Sequence, residues 1–133
     1  LMGPTALIAQ IAKVCPPYNV SVLNCETALF ALEHADEFDR QAAVLRSERA
    51  RLMSALRELP GVHPYPSEAN MILARVPDAG ALFAALKLRG VLVKNVSNLH
   101  PLLVDCLRLT VGTPDENTLL MSALTSALEA SPR

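Results

Sequence analysis

The sequence predicts an α/β (α+β) sandwich of two layers. Three observations carry that prediction. Two long helical periods run over 22–34 and 36–59. Four short strand-like segments follow, at 62–65, 71–76, 91–94 and 106–111. Two amphipathic helical segments lie between and after those strands, which gives a small sheet its covering layer. At 133 residues the chain is long enough for one modest core.

In chain order, Gly3-Pro4 opens a short helix with Leu7, Ile8, Ile11 and Val14 on one side, and Pro16-Pro17 ends it. Tyr18 and Asn19 lie in a rigid extended connector. Ser21 is placed to cap the 22–34 helix, which carries Leu23, Ala28, Leu29 and Leu32. The 36–59 helix carries Phe38, Ala42, Leu45, Leu52, Met53, Leu56 and Leu59 on one seam, whose steps of four and three pass through residue 49. Arg49 falls within that seam, either as a snorkelling side chain whose stem covers apolar surface or as one half of a buried ion pair that holds this helix to a domain absent from the sequence. Asp36–Arg40 and Glu48–Arg51 are at pairing distance and read as a solvated outer face.

Pro60-Gly61 is a hard stop. Val62 to Tyr65 reads as a strand, 66–70 as turn chemistry, and 71–76 as a second strand with Met71, Leu73 and Arg75 on one face. Asp78 caps a helix carrying Leu82, Phe83, Leu86 and Leu88, and Gly90 suits the left-handed position that closes it. Val91 to Lys94 is the third strand, and 95–104 a loop. In the fourth strand Leu107, Leu109 and Val111 point one way, Arg108 and Thr110 the other. Thr113, Pro114 and Glu116 then spell a capping box with proline at the first helical position. Leu119, Leu120, Ala123, Leu124, Ala127 and Leu128 follow as an apolar stripe.

Composition narrows the function. The net charge is −1, so no basic footprint argues for nucleic acid. No apolar run is long enough to cross a membrane and no signal peptide is visible. Cys15, Cys25 and Cys106 are odd in number and lack metal-type spacing, which suits a reducing, cytoplasmic compartment. His34, His63 and His100 are too scattered to be ligands. At 51% the hydrophobic fraction slightly exceeds a usual soluble average although aromatics are few. Such an aliphatic excess is expected of a piece cut from a larger body, one face of which awaits a neighbour. The first residue is Leu1, with Met2 as a conceivable start.

Arg108 is the candidate binding residue. Its fork is rigid, always charged and suited to carboxylate or phosphate. From the pattern alone, the commoner reading is an arginine on a solvent-facing sheet surface.

The run from Cys106 to Asn117, Cys-Leu-Arg-Leu-Thr-Val-Gly-Thr-Pro-Asp-Glu-Asn, resembles the closing motif of histidinol-phosphate aminotransferases, which are fold-type I enzymes dependent on pyridoxal phosphate (PLP). Pro17-Tyr18-Asn19-Val20-Ser21, Glu48-Arg49, Pro66-Ser67-Glu68-Ala69-Asn70 and Gly90-Val91-Leu92-Val93-Lys94-Asn95 match in order. The resemblance covers nearly the whole chain but only the C-terminal third or so of such an enzyme. It implies that residues 1–20 close the large domain and form the connector, and that 21–133 are the C-terminal small domain. That domain has a mainly antiparallel sheet with helices on one side. It also implies a cytoplasmic homodimer of histidine biosynthesis. The reaction would take histidinol phosphate and 2-oxoglutarate to imidazole acetol phosphate and glutamate.

The resemblance makes Arg108 the substrate-anion-binding arginine. Lys94 stands where many relatives carry a second arginine, and lysine keeps the charge without the fork. Tyr18 and Asn19 either shape the connector or lie near the active site. A PLP enzyme needs a Schiff-base lysine. Lys13, Lys87 and Lys94 are the only lysines, and none sits in a context like the family's lysine segment. By the resemblance that segment, the pyridinium partner and the phosphate cup precede Leu1. The chain by itself is therefore expected to bind no PLP, to carry no catalytic residue and to be inactive. Two other functions fit the same residues. One is an aminotransferase of this fold acting on aromatic or other amino acids; the other is a non-catalytic, freestanding interaction module.

Overall fold

The computed structural model describes residues 3–16 and 20–130. Tyr18 and Asn19 lie outside the described residues. The chain divides into two compact units, one up to Asp39 and one from Arg40 onward.

The first unit holds helix α1 (Thr5–Ala12) and helix α2 (Val22–Glu33). The α1 helix stops short of the prolines, because Lys13 and Val14 donate to the carbonyls three residues back and tighten the last turn. Ser21 caps α2 as expected, its hydroxyl accepting from the Asn24 N–H at 3.2 Å. At the other end the Phe30 ring stacks on His34, with centroids 4.1 Å apart.

Helix α3 (Ala35–Arg57) leads into the second unit. Strands β1 (His63–Pro64) and β2 (Met71–Arg75) come next, then helix α4 (Ala79–Leu88), strands β3 (Lys94–Asn95) and β4 (Cys106–Thr110), and helix α5 (Pro114–Glu129). The sheet is antiparallel throughout, in the order β1-β2-β4-β3. Ile72 and Ala74 of β2 lie opposite Leu109 and Leu107 of β4. These four side chains share one face and form a single core with Leu52 and Leu56 of α3, Leu82 and Leu86 of α4, and Leu120 and Leu124 of α5. The three helices therefore cover one face, and the fold is the predicted α/β sandwich.

The caps explain where the helices begin and end. Asp78 accepts from the Ala81 N–H at 2.8 Å. The Thr113–Glu116 capping box is complete. Gly90 has φ +77°; its N–H bonds the Lys87 carbonyl while the Val91 N–H bonds the Leu86 carbonyl. That pair of bonds is a Schellman closure, and it corrects the third strand. The Val91 N–H serves the helix end, and ladder pairing begins only at Lys94. Several stripe residues are corrected as well, because they are exposed: Phe38 and Leu45 in the first half of α3, Leu88 in the last turn of α4, and Leu119 turned off the α5 core face.

Candidate functional site: a cationic row on the open sheet face

Arg108 sits at the centre of β4. Alternation sends Leu107 and Leu109 into the core and sends Arg108 and Thr110 to the face the helices leave open. Across the ladders Arg108 faces Leu73 on β2 and Lys94 on β3. Both sequence-predicted site residues thus meet as direct cross-strand partners. Such partners have Cβ atoms about 4.5–5.5 Å apart and project from the same face. Both are exposed, and neither makes a hydrogen bond or ion pair among the described residues.

Two like charges placed opposite each other repel. An anion bound between them removes the repulsion. The guanidinium supplies a planar fork, and the ammonium a compact charge with three donors. The row continues past β1, where the Tyr65 N–H donates to the Leu73 carbonyl at 2.9 Å and sets Tyr65 beside Leu73.

Sequence reasoning left the next row unassigned. There Arg75 of β2 faces His63 on β1 and Cys106 on β4. Its Nη2 donates to the Leu102 carbonyl at 2.8 Å, so the side chain reaches the β3–β4 loop. The Cys106 side chain, and after it the Tyr65 phenol, raise the Arg75 pKa above its ordinary value. The alternation of 71, 73 and 75 had already put Arg75 on this face; only the strand order places it near Arg108.

The exit of β4 is held from two sides. The Val111 N–H donates to the Asn70 carbonyl at 2.9 Å. Asn117, 1% exposed, clamps Gly112: its Oδ1 accepts from the Gly112 N–H at 2.9 Å and its Nδ2 donates to the Gly112 carbonyl at 3.0 Å. The same Nδ2 donates to Glu48 Oε2 at 2.8 Å. Arg51 grips Glu48 through Nε and Nη2 and reaches the Pro114 carbonyl. Hydrogen bonds from Arg51 and then Asn117 hold the Glu48 carboxyl below its ordinary pKa.

This overturns the reading of Glu48 as a solvated charge: it is 8% exposed. Its signal was the i, i+4, i+8 spacing with Leu52 and Leu56, both buried on the same stripe. Arg49 is neither a lone snorkelling residue nor half of a buried pair: it pairs at 2.8 Å with Glu68, whose side chain is exposed, and donates to the Ala69 carbonyl, tying α3 to the 66–70 turn.

A cleft of about 310 Å³ lies between the 90–93 segment and the start of α5. Its lining includes the carboxylate of Glu116 and no cation, so it does not suit an anion. The lysines do not fit PLP. Lys13 is exposed and donates to Gln10, Lys87 is exposed on α4, and Lys94 stands on the open sheet face. None is enclosed beside a phosphate cradle, so no step is routed through the cofactor here.

The chain is similar to known proteins in sequence and in fold. The sequence profile of the aminotransferase class I and II family matches residues 1–124. A histidinol-phosphate aminotransferase from Methylibium petroleiphilum is 72% identical over 128 residues, covering 96% of this chain and 34% of the relative. The chain therefore spans about a third of the length of the curated relatives it matches. The solved histidinol-phosphate aminotransferase from Clostridium acetobutylicum superposes with a TM-score of 0.83 at 18% identity, over 95% of this chain and 39% of that one, a likeness of fold alone. The L-threonine-O-3-phosphate decarboxylase from Porphyromonas gingivalis superposes with a TM-score of 0.76 at 27% identity, over 95% of this chain and 40% of that one.

Proposed function

The chain belongs to the aminotransferase class I and II family, and on that premise we propose that it is the small-domain portion of a histidinol-phosphate aminotransferase. The full enzyme would move an amino group from histidinol phosphate to 2-oxoglutarate, giving imidazole acetol phosphate and glutamate. Residues 21–133 would form the small domain and residues 1–20 the end of the large one. The full enzyme would be a cytoplasmic homodimer. Among the described residues no helix is long and apolar enough to cross a membrane.

One observation carries the reading: two cations without a partner among the described residues, Lys94 and Arg108, face each other on the open side of the sheet. A two-substrate transaminase must hold glutamate in one half-reaction and the phosphate ester in the other. The Arg108 fork matches a carboxylate or a phosphate, so one residue can serve both. Lys94 adds charge without dictating geometry. The names of the Methylibium and Porphyromonas relatives point the same way, since the two reactions differ but both substrates are phosphate monoesters.

PLP supplies the electron sink for the amino transfer when bound. This chain's residues contribute the anion grip, which fixes the substrate's distance and orientation. The test is turnover by the full-length enzyme. Histidinol phosphate should be a far better amino donor than phenylalanine, with 2-oxoglutarate as acceptor. Equal or better turnover of phenylalanine would transfer the assignment to an aromatic aminotransferase, and no turnover of either would remove it.

A further inference from the structure

A third cation stands on the face that carries Lys94 and Arg108. Arg75 faces Cys106, and Cys106 precedes Arg108 by two residues, on the same face of β4. Two strand residues span about 7 Å. Diagonal cross-strand neighbours of this kind are within reach of long side chains. Arg75 Nη2 donates to the Leu102 carbonyl, in the loop that leads into β4, at 2.8 Å. That bond uses one of the five guanidinium N–H donors and leaves the charge unneutralised, because the acceptor is a neutral carbonyl. The groups around Arg75 are His63 on β1 and Cys106 on β4 in its own row, with Tyr65 and the cations Arg108 and Lys94 one row away.

Lys94 and Arg108 suffice for a carboxylate, which carries one charge on two oxygens. A phosphate monoester carries about −1.5 to −2 at neutral pH on three acceptor oxygens. Its second charge needs a further cation on the same side. We propose that Arg75 is a specificity-determining residue of the anion site, favouring a dianionic phosphate monoester over a single carboxylate. This rests on the anion-site reading given above for Arg108.

The experiment uses the full-length enzyme with Arg75→Gln and Arg75→Lys. KM and kcat are measured for the phosphate monoester substrate and for glutamate between pH 5.5 and 8.5. Arg75→Gln should raise KM for the phosphate monoester about tenfold at pH 8, the scale of one charge-assisted contact. Glutamate KM should change less than about twofold and kcat should hold, since the contact is one of charge rather than geometry. Arg75→Lys should restore most of the loss. The difference should shrink below about pH 6, where the dianion takes up a proton and becomes a monoanion.

A tether role through Leu102 would move both substrates together and show no such pH dependence. That outcome, or an unchanged KM for the phosphate monoester, overturns the proposal. An Arg108→Ala variant run alongside separates the two ideas. If it spares both substrates, the anion site itself is misplaced. If it weakens both while Arg75→Gln is silent, only the role of Arg75 falls.

Discussion

The Nδ2 of Asn117 donates to Oε2 of Glu48 at 2.8 Å, joining an amide on α5 to a carboxylate on α3 that is 69 residues away in the chain. Both groups are buried. A carboxylate survives out of water only with partners for its oxygens, and Asn117 and Arg51 supply them. Through the same amide, Glu48 is linked to the backbone of Gly112, two residues beyond the end of the strand that carries Arg108.

Removing that amide should be costly. Asn117→Ala strips the Gly112 N–H and carbonyl of their side-chain partners and leaves Glu48 with Arg51 alone. Buried groups left unsatisfied cost about 1–3 kcal/mol each. Some relaxation is expected, so the total loss should be about 2–4 kcal/mol in a denaturant titration followed by circular dichroism. Asn117→Asp should be worse at pH 7, because it sets a second carboxylate against Glu48. A loss below about 0.5 kcal/mol for Asn117→Ala would mean that water replaces the amide.

Acid should weaken the fold through two carboxylates. Hydrogen bonds from Arg51 and Asn117 lower the Glu48 pKa below 4.5, and the Thr113 backbone N–H followed by its hydroxyl lowers that of Glu116. In both, the folded state binds its proton less readily than the unfolded state. Their contribution is therefore complete above about 4.5 and lost as pH falls through the lowered folded-state values. Melting temperature should be flat with respect to these two groups between pH 5 and 7 and drop below pH 4.5. Glu48→Gln and Glu116→Gln should each flatten the acid limb. An acid limb unchanged in both variants would assign it to other carboxylates.

Local chemistry made much of this fold legible. The leucine–arginine alternation of β4, the caps at Ser21, Asp78 and Thr113, and the closure at Gly90 depend on neighbours within a few residues, so the sequence shows them directly. Glu48 was misread because a charge three residues from an arginine suggests a surface pair, although its spacing to Leu52 and Leu56 placed it on the buried stripe. The short β3 was misread because Val91 could extend the strand or finish the helix, and the Schellman bond decides for the helix. The meeting of Lys94 with Arg108 was not legible at all. It depends on β3 pairing with β4 at the sheet's edge, a long-range choice that no local pattern encodes.

The sharpest prediction concerns Arg108 itself. Its strand neighbours Leu107 and Leu109 are buried while its own side chain is exposed and unpaired among the described residues. Substituting it leaves the core face intact and relieves repulsion with Lys94, so the fold should hold or gain slightly in stability. In the full-length enzyme Arg108→Ala should weaken glutamate and histidinol phosphate together, since one fork serves both anions. Losing a bidentate charge-assisted pair costs about 2–4 kcal/mol, or roughly 30- to 1000-fold in kcat/KM. Arg108→Lys should recover only part, because the charge returns without the planar geometry. Steady-state kinetics on both substrates, with melting temperature measured in parallel, decide the matter. If kcat/KM stays within a few-fold of wild type for both, Arg108 is a surface arginine. If activity disappears together with the melting transition, its role is structural. Only a large, shared kinetic loss at unchanged stability makes Arg108 the residue that holds the substrate.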